Sequence, residues 1–159
     1  MKPWELLDSE PVPGGDEAMS LHRRGDEFVI RVGWRQLMCT RMHGSEDALA
    51  DLAFDRLGDR AGVRALIGGL GMGFTLSAAL ARLGPDGVVV VAELVDAVVE
   101  WNRGPLGEAA GRPLDDPRTS VHVGDVAELV REAFLLSLKE TLSLELTPYL
   151  KPKAVPDPL

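Results

Sequence analysis

The sequence predicts an α/β fold, a doubly wound parallel sheet preceded by a small β-hairpin region. Apolar runs alternate with helical patterns over residues 62–133, which is the order of a parallel sheet with crossover helices. The run at 88–92 is β-branched and has no polar alternation, as is typical of a strand covered on both faces. A cluster of glycines separates the first apolar run from the first helix, where such sheets bind ligands.

Composition limits the classes of function. The chain has 159 residues, of which 45% are apolar and 26% charged, as in one ordinary globular domain. Its formal charge of -8 argues against a nucleic-acid-binding or anionic-membrane surface. No apolar run approaches the roughly 20 residues of a membrane span, and the first residues lack the order of a signal peptide, so we expect a cytoplasmic protein. The single Cys39 excludes an internal disulfide, and we expect no metal site.

The first 61 residues divide into two segments. Residues 1–26 are rich in proline and glycine, which predicts a flexible N-terminal arm. Residues 27–61 predict a β-hairpin around Gly33 and then a lead-in helix. In that helix Ser45 is expected to be the N-cap, and the apolar stripe is expected to include Leu49 and Leu52.

The second half predicts a nucleoside-binding domain over residues 62–133. Strands are expected at 63–67, 88–92 and 119–123, each followed by a helix. Residues 134–159 form an atypical tail rich in leucine and proline, whose pattern fits a helix, a strand or a frayed end.

The glycine loop (residues 68–73) is the first feature that points to chemistry. Gly69, Gly71 and Gly73 leave no Cβ between the backbone and a ligand at the helix N-terminus. A dinucleotide fingerprint would need a small residue at position 74, which is Phe74. The spacing therefore favours a nucleoside with an amino-acid tail, and an NAD-dependent dehydrogenase is a remote alternative. A tight loop without a ligand is the other interpretation.

Two acids follow the next two strands. Glu93 ends the second strand, where a carboxylate can accept hydrogen bonds from both hydroxyls of a ribose. Asp125 follows the third strand, where it can accept a hydrogen bond from an adenine amine or cap the next helix. A solvated carboxylate is the alternative for Glu93. Because parallel strands end at one edge, the glycine loop and both acids are expected to lie together.

Three segments carry a resemblance to a known family, and they are residues 66–73, 91–100 and 116–125. They are similar to the first three motifs of the spermidine synthase (polyamine aminopropyltransferase) family, which has the Rossmann-like class I S-adenosylmethionine-dependent methyltransferase fold. The resemblance implies that S-adenosylmethionine or its decarboxylated form is the cofactor. It assigns cofactor binding to Gly69, Gly71, Gly73, Glu93 and Asp125.

The same resemblance implies an aminopropyl or methyl transferase with a small-molecule acceptor such as a polyamine, and it allows a homodimer. Two departures from the family pattern matter. Leu70 or Gly71 stands where the family has an acid in the glycine loop, and the family's catalytic aspartate after a fourth strand has no counterpart. No catalytic residue is therefore assigned, and the chain resembles a truncated member. A degenerate, non-catalytic nucleoside-binding domain and a methyltransferase are the alternatives.

The segment 42–46 offers a lesser candidate. His43 with Ser45 and Asp47 could suggest a catalytic triad, but neighbouring residues at a helix start cannot converge as a relay. Helix capping explains these residues better. The resemblance also allows the segment to border the substrate pocket.

Overall fold

The computed structural model describes residues 2–135. The described residues divide into two units, with the boundary between Val126 and Ala127. In the second unit, residues 127–135 are helical, so the predicted tail at 134–159 begins in this helix, and its remainder from residue 136 lies outside the described residues. The strands and α-helices of the first unit are β1 (Glu5–Pro11), β2 (Ala18–Arg24), β3 (Glu27–Val32), β4 (Arg35–Cys39), α1 (Gly44–Leu57), β5 (Arg64–Gly68), α2 (Phe74–Arg82), β6 (Val88–Glu93), α3 (Asp96–Arg103) and β7 (Thr119–Val123).

The prediction of a flexible arm over residues 1–26 is wrong. Strands β1 and β2 pair antiparallel and join β3 and β4 in a four-stranded sheet of order β1-β2-β3-β4. Pro13, Gly14 and Gly15 lie in the connection between β1 and β2, where Gly14 has a φ of 74°. Leu21 of β2 is fully buried, and the indole N–H of Trp101 donates a 2.7 Å hydrogen bond to Asp8 of β1. Composition indicated the turn correctly but not the strands on either side of it.

The predicted hairpin around Gly33 is confirmed, because β3 and β4 pair antiparallel there. The lead-in helix is also present as α1, but its predicted cap is wrong. The N-cap is His43, whose carbonyl accepts hydrogen bonds from the N–H groups of Glu46 and Asp47. Ser45 lies inside the first turn, and its hydroxyl donates to the carboxylate of Glu46.

The predicted apolar stripe of α1 is also wrong in its phase. The helix buries Ala50 and Phe54, whereas the side chains of Leu49 and Leu52 are each 62% exposed. Arg82 of α2 donates to two carboxylates on α1, those of Asp51 and Asp55. The side of α1 that bears these carboxylates therefore lies near α2, a placement that spacing alone did not identify.

The predicted α/β class and its parallel sheet are confirmed. Strands β5, β6 and β7 are parallel and adjacent in that order, with Ile67 opposite Val91 and Val91 opposite Val121. The side chains of Val89 and Val91 are fully buried, as expected for the uniformly apolar central strand. The predicted helices after β5 and β6 are present as α2 and α3. This register aligns the carboxyl ends of the three strands at one edge of the sheet.

Arg118 ties the start of β7 to the end of α2. Its guanidinium donates to the carbonyls of Leu83 at 2.8 Å and Leu80 at 3.2 Å, which are unpaired carbonyls at a helix C-terminus. The same guanidinium donates to the carboxylate of Asp116 at 2.7 Å. Asp116 thus holds in position the cation that caps α2.

This pair gives a pH prediction. The hydrogen bonds from the Arg118 guanidinium and backbone N–H lower the pKa of Asp116 from 3.8 to about 2. A depressed folded-state pKa stabilises the fold above the unfolded-state pKa, and that stabilisation is lost as the pH falls from about 4 to 2. We expect Asp116→Asn to lower the melting temperature at pH 6 and the difference from wild type to shrink by pH 2. A constant difference across this range would contradict the assignment.

No helix in the described part of the chain combines the length and apolar character needed to cross a membrane.

Candidate nucleoside site

A cavity of about 400 Å³ lies at the carboxyl edge of the parallel sheet. The backbone of the glycine loop, from Gly68 to Gly71, lines one side of it. The antiparallel sheet lines the other side with four apolar side chains, those of Met19, Ile30, Leu37 and Met38. The polar side chains that line the cavity are those of Glu46, Thr75 and Glu93. The volume and the mixture of apolar walls with few polar groups are typical of a small-molecule site.

Glu93 connects the glycine loop to the start of α3. Its side chain is buried, and its two carboxylate oxygens accept hydrogen bonds from the backbone N–H groups of Leu70 at 2.8 Å and Val95 at 2.9 Å. An ionised carboxylate offers about four acceptor positions, so each oxygen can accept one further hydrogen bond. Glu93 therefore fixes the loop and still has acceptor positions for two ligand hydroxyls.

The three loop glycines all have positive φ angles, but their surroundings differ. At Gly69, with a φ of 94°, a Cβ atom would meet nothing within 4 Å. At Gly71 it would lie 2.6 Å from the sulfur of Met38. At Gly73 it would lie 3.0 Å from Oδ1 of Asn102 and 3.1 Å from the Pro113 ring. Only Gly69 therefore faces open space, whereas Gly73 is required by packing.

Asn102, which no sequence motif indicated, supports the loop from α3. Its side-chain N–H groups donate 2.8 Å hydrogen bonds to the carbonyls of Gly71 and Val98. The side chain is buried, and its Oδ1 has no partner in the described structure. The amide thus joins the loop to α3. An asparagine within an amphipathic helix gave no sequence signal that it would contact the loop.

The structure brings together three of the five predicted cofactor-binding residues. Gly69, Gly71 and Glu93 line the cavity, whereas Gly73 and Asp125 do not. Asp125 is exposed and follows β7 at the same sheet edge, where the N–H of Gly124 donates a 2.8 Å hydrogen bond to the carbonyl of Glu93. Its proposed contact with adenine stays a prediction.

The antiparallel sheet and α1 contribute residues that no motif indicated. Met38 of β4 lines the cavity and lies against Gly71. Glu46 lies in the first turn of α1 and is the residue of the segment 42–46 that lines the cavity. That the segment borders a substrate pocket stays a prediction. The motifs of the parallel sheet do not include these residues, because they come from the antiparallel sheet and from α1.

His43 and Asp47 form a pair outside this cavity. The Nδ1 atom of His43 lies 2.8 Å from a carboxylate oxygen of Asp47, and the imidazole stacks on the ring of Phe74 at 4.0 Å. His43 and Asp47 both line a separate cavity of about 440 Å³. Since the hydroxyl of Ser45 donates to Glu46 instead, the three residues do not form a relay.

Residues 2–135 contain no group of three or more histidine, cysteine or acidic side chains placed to hold a metal ion.

Solved structures share this fold. A spermidine synthase in complex with the transition-state analogue AdoDATO aligns with a TM-score of 0.64 and 20% identity over 80% of this chain. The spermidine synthase from Thermotoga maritima aligns with a TM-score of 0.64 and 21% identity over 80% of this chain. The alignments cover 43% and 42% of those two proteins, so the chain spans less than half their length.

No protein-family model matches the sequence, and no curated protein matches it. The likeness to solved structures is therefore a likeness of fold. The three parallel strands, the preceding antiparallel sheet and the glycine loop give this chain the Rossmann-like fold found in spermidine synthases.

Proposed function

We propose that this chain binds S-adenosylmethionine or decarboxylated S-adenosylmethionine. The observation that carries the proposal is the buried carboxylate of Glu93, which holds the N–H of Leu70 and borders the cavity beside Gly69. A carboxylate at the end of the second strand of such a sheet is placed to accept hydrogen bonds from a ribose. The open space at Gly69 allows a ligand to approach the backbone closely.

The chemistry of the cavity supports a sulfonium nucleoside. Both forms of the cofactor carry a positive sulfonium, and the cavity contains the carboxylates of Glu46 and Glu93. Its apolar side chains, including those of Met38 and Leu37, can cover the adenine and the alkyl part of the tail. One of the solved spermidine synthases with this fold holds AdoDATO.

We also propose that the bound cofactor donates an aminopropyl or methyl group to a small-molecule acceptor such as a polyamine. Such a transfer is an in-line displacement at carbon, which requires an aligned nucleophile and removal of its proton. The second candidate is a nucleoside-binding domain without transfer. The lining of the cavity favours it, because apart from Glu93, whose carboxylate is held by two backbone N–H groups, Glu46 is the one ionisable side chain among the described lining residues that could remove a proton.

Calorimetric titration tests the proposal. We expect the folded protein to bind S-adenosylmethionine, decarboxylated S-adenosylmethionine and methylthioadenosine with one site per chain. Lack of binding by all three would contradict it. Incubation with radiolabelled cofactor and putrescine or spermidine then separates the two candidates, because labelled product shows transfer and binding without product shows a non-catalytic domain.

A further inference from the structure

We propose that Glu46 binds an alkylammonium group of the ligand in the nucleoside cavity. This inference rests on the proposed function and extends it, since it assigns a role to a residue outside the predicted cofactor-binding set. Glu46 borders the cavity from α1, whereas Glu93, the acceptor proposed for the ribose, borders it from the end of β6.

The charges that line the cavity point to a cationic group. Among the described residues that line it, the charged ones are Glu46 and Glu93, and none is a lysine, arginine or histidine. The carboxylate of Glu93 is held by two backbone N–H groups. Glu46 is therefore the carboxylate that can turn toward a charged group of the ligand. A ligand whose only charged group were anionic would meet no compensating cation here.

The local geometry prepares Glu46 for this contact. The hydroxyl of Ser45 donates a 2.6 Å hydrogen bond to Oε2 of Glu46, and no described residue donates to Oε1. The side chain is half-buried, and the cavity is otherwise walled by apolar groups such as Met38 and Leu37. An ion pair in such surroundings is screened less than one on an open surface.

Two sources could supply the ammonium. One is the amino group on the tail of the cofactor itself, and the other is an amine acceptor bound beside it. Both would place a positive nitrogen against Oε1 of Glu46, so both would respond to removal of its charge. Methylthioadenosine has the nucleoside but neither the ammonium nor the sulfonium charge, which makes it the uncharged reference ligand. S-adenosylhomocysteine has the ammonium on a neutral thioether, so it separates an ammonium contact from a sulfonium contact.

The test compares Glu46→Gln with wild type by calorimetry. If the cofactor tail is the source, we expect Glu46→Gln to bind S-adenosylmethionine, its decarboxylated form and S-adenosylhomocysteine about tenfold more weakly and to bind methylthioadenosine as wild type does. Wild-type affinity for S-adenosylhomocysteine with weaker binding of the two sulfonium ligands would assign Glu46 to the sulfonium and overturn the ammonium contact. If an acceptor amine is the source, we expect cofactor binding to persist and putrescine binding to the methylthioadenosine complex to weaken about tenfold.

Asp47→Asn is the matched control. Asp47 lies in the same helical turn but does not line this cavity, so its substitution should leave all ligand affinities unchanged. Thermal unfolding shows whether each variant is folded. A second measurement uses wild type alone: higher salt should weaken binding of the cationic ligand more than binding of methylthioadenosine.

The outcomes separate this inference from the proposed function. Unchanged affinities of Glu46→Gln for every ligand, with wild type binding methylthioadenosine, would overturn the role of Glu46 alone. Equal salt dependence for charged and uncharged ligands would also overturn it. A wild-type protein that binds none of the ligands would contradict the proposed function as well.

Discussion

Replacing Glu93 by alanine is expected to weaken binding of methylthioadenosine and S-adenosylmethionine by more than tenfold. A charge-assisted hydrogen bond is worth roughly 1.5–3 kcal/mol, and the variant loses the acceptors proposed for both ribose hydroxyls. It also leaves the N–H groups of Leu70 and Val95 without their acceptors, at about 1–3 kcal/mol for each group that stays buried. We therefore expect lower ligand affinity and a lower free energy of unfolding, measured by calorimetry and denaturant titration.

Two further variants separate these effects. Glu93→Gln keeps one acceptor oxygen and is expected to be intermediate in both measurements. Glu100→Gln removes an exposed carboxylate of α3 that pairs with Arg103, and it should change ligand affinity by less than twofold. Wild-type affinity in a folded Glu93→Ala protein would contradict the ribose contact.

The second large effect is expected from Gly73→Ala, which should destabilise the fold by about 2–5 kcal/mol. A left-handed conformation costs a non-glycine residue roughly 1–2 kcal/mol, and Gly73 has a φ of 83°. The new Cβ would also press against Oδ1 of Asn102 and the Pro113 ring, and overpacking of this kind costs typically 1–3 kcal/mol. Asn102 is held by two hydrogen bonds and a proline ring is rigid, so neither can easily move away.

Gly25→Ala is the matched control for the backbone term. Gly25 has a φ of 64°, and a Cβ there would meet nothing within 4 Å. Its substitution should cost only the conformational term, about 1–2 kcal/mol. The difference between the two variants then measures the packing at Gly73. Equal losses of stability, determined by denaturant titration, would show that the contacts of Gly73 do not constrain the loop.

Sequence patterns predicted the parallel half of the fold because its signals are local. The β-branched run at 88–92 and the glycines at 68–73 each specify a strand or a turn without help from distant residues. Once the strands are parallel, their carboxyl ends must meet, which is why Glu93 was predicted beside the glycine loop. No sequence pattern indicated that the carboxylate of Glu93 would accept hydrogen bonds from the N–H of Leu70 in the glycine loop and from the N–H of Val95 at the start of α3.

The remaining features depend on contacts between distant parts of the chain. Strand β1 was missed because its pairing with β2 and the bond from Trp101 to Asp8 are long-range. The placement of Met38 and Glu46 at the cavity follows from how the antiparallel sheet and α1 pack on the glycine loop. Likewise, the packing that disfavours a side chain at position 73 comes from Asn102 in α3 and from Pro113, which no sequence pattern indicated. The role of Gly73 in cofactor binding stays a prediction.

The ribose contact of Glu93 is tested by a crystal structure of the full chain with methylthioadenosine. We expect the nucleoside to occupy the cavity beside Gly69, with both ribose hydroxyls within hydrogen-bond distance of the Glu93 carboxylate. We also expect the Leu70 N–H to keep its hydrogen bond to Glu93. A nucleoside bound elsewhere, or in this cavity with its ribose away from Glu93, would contradict the ribose contact.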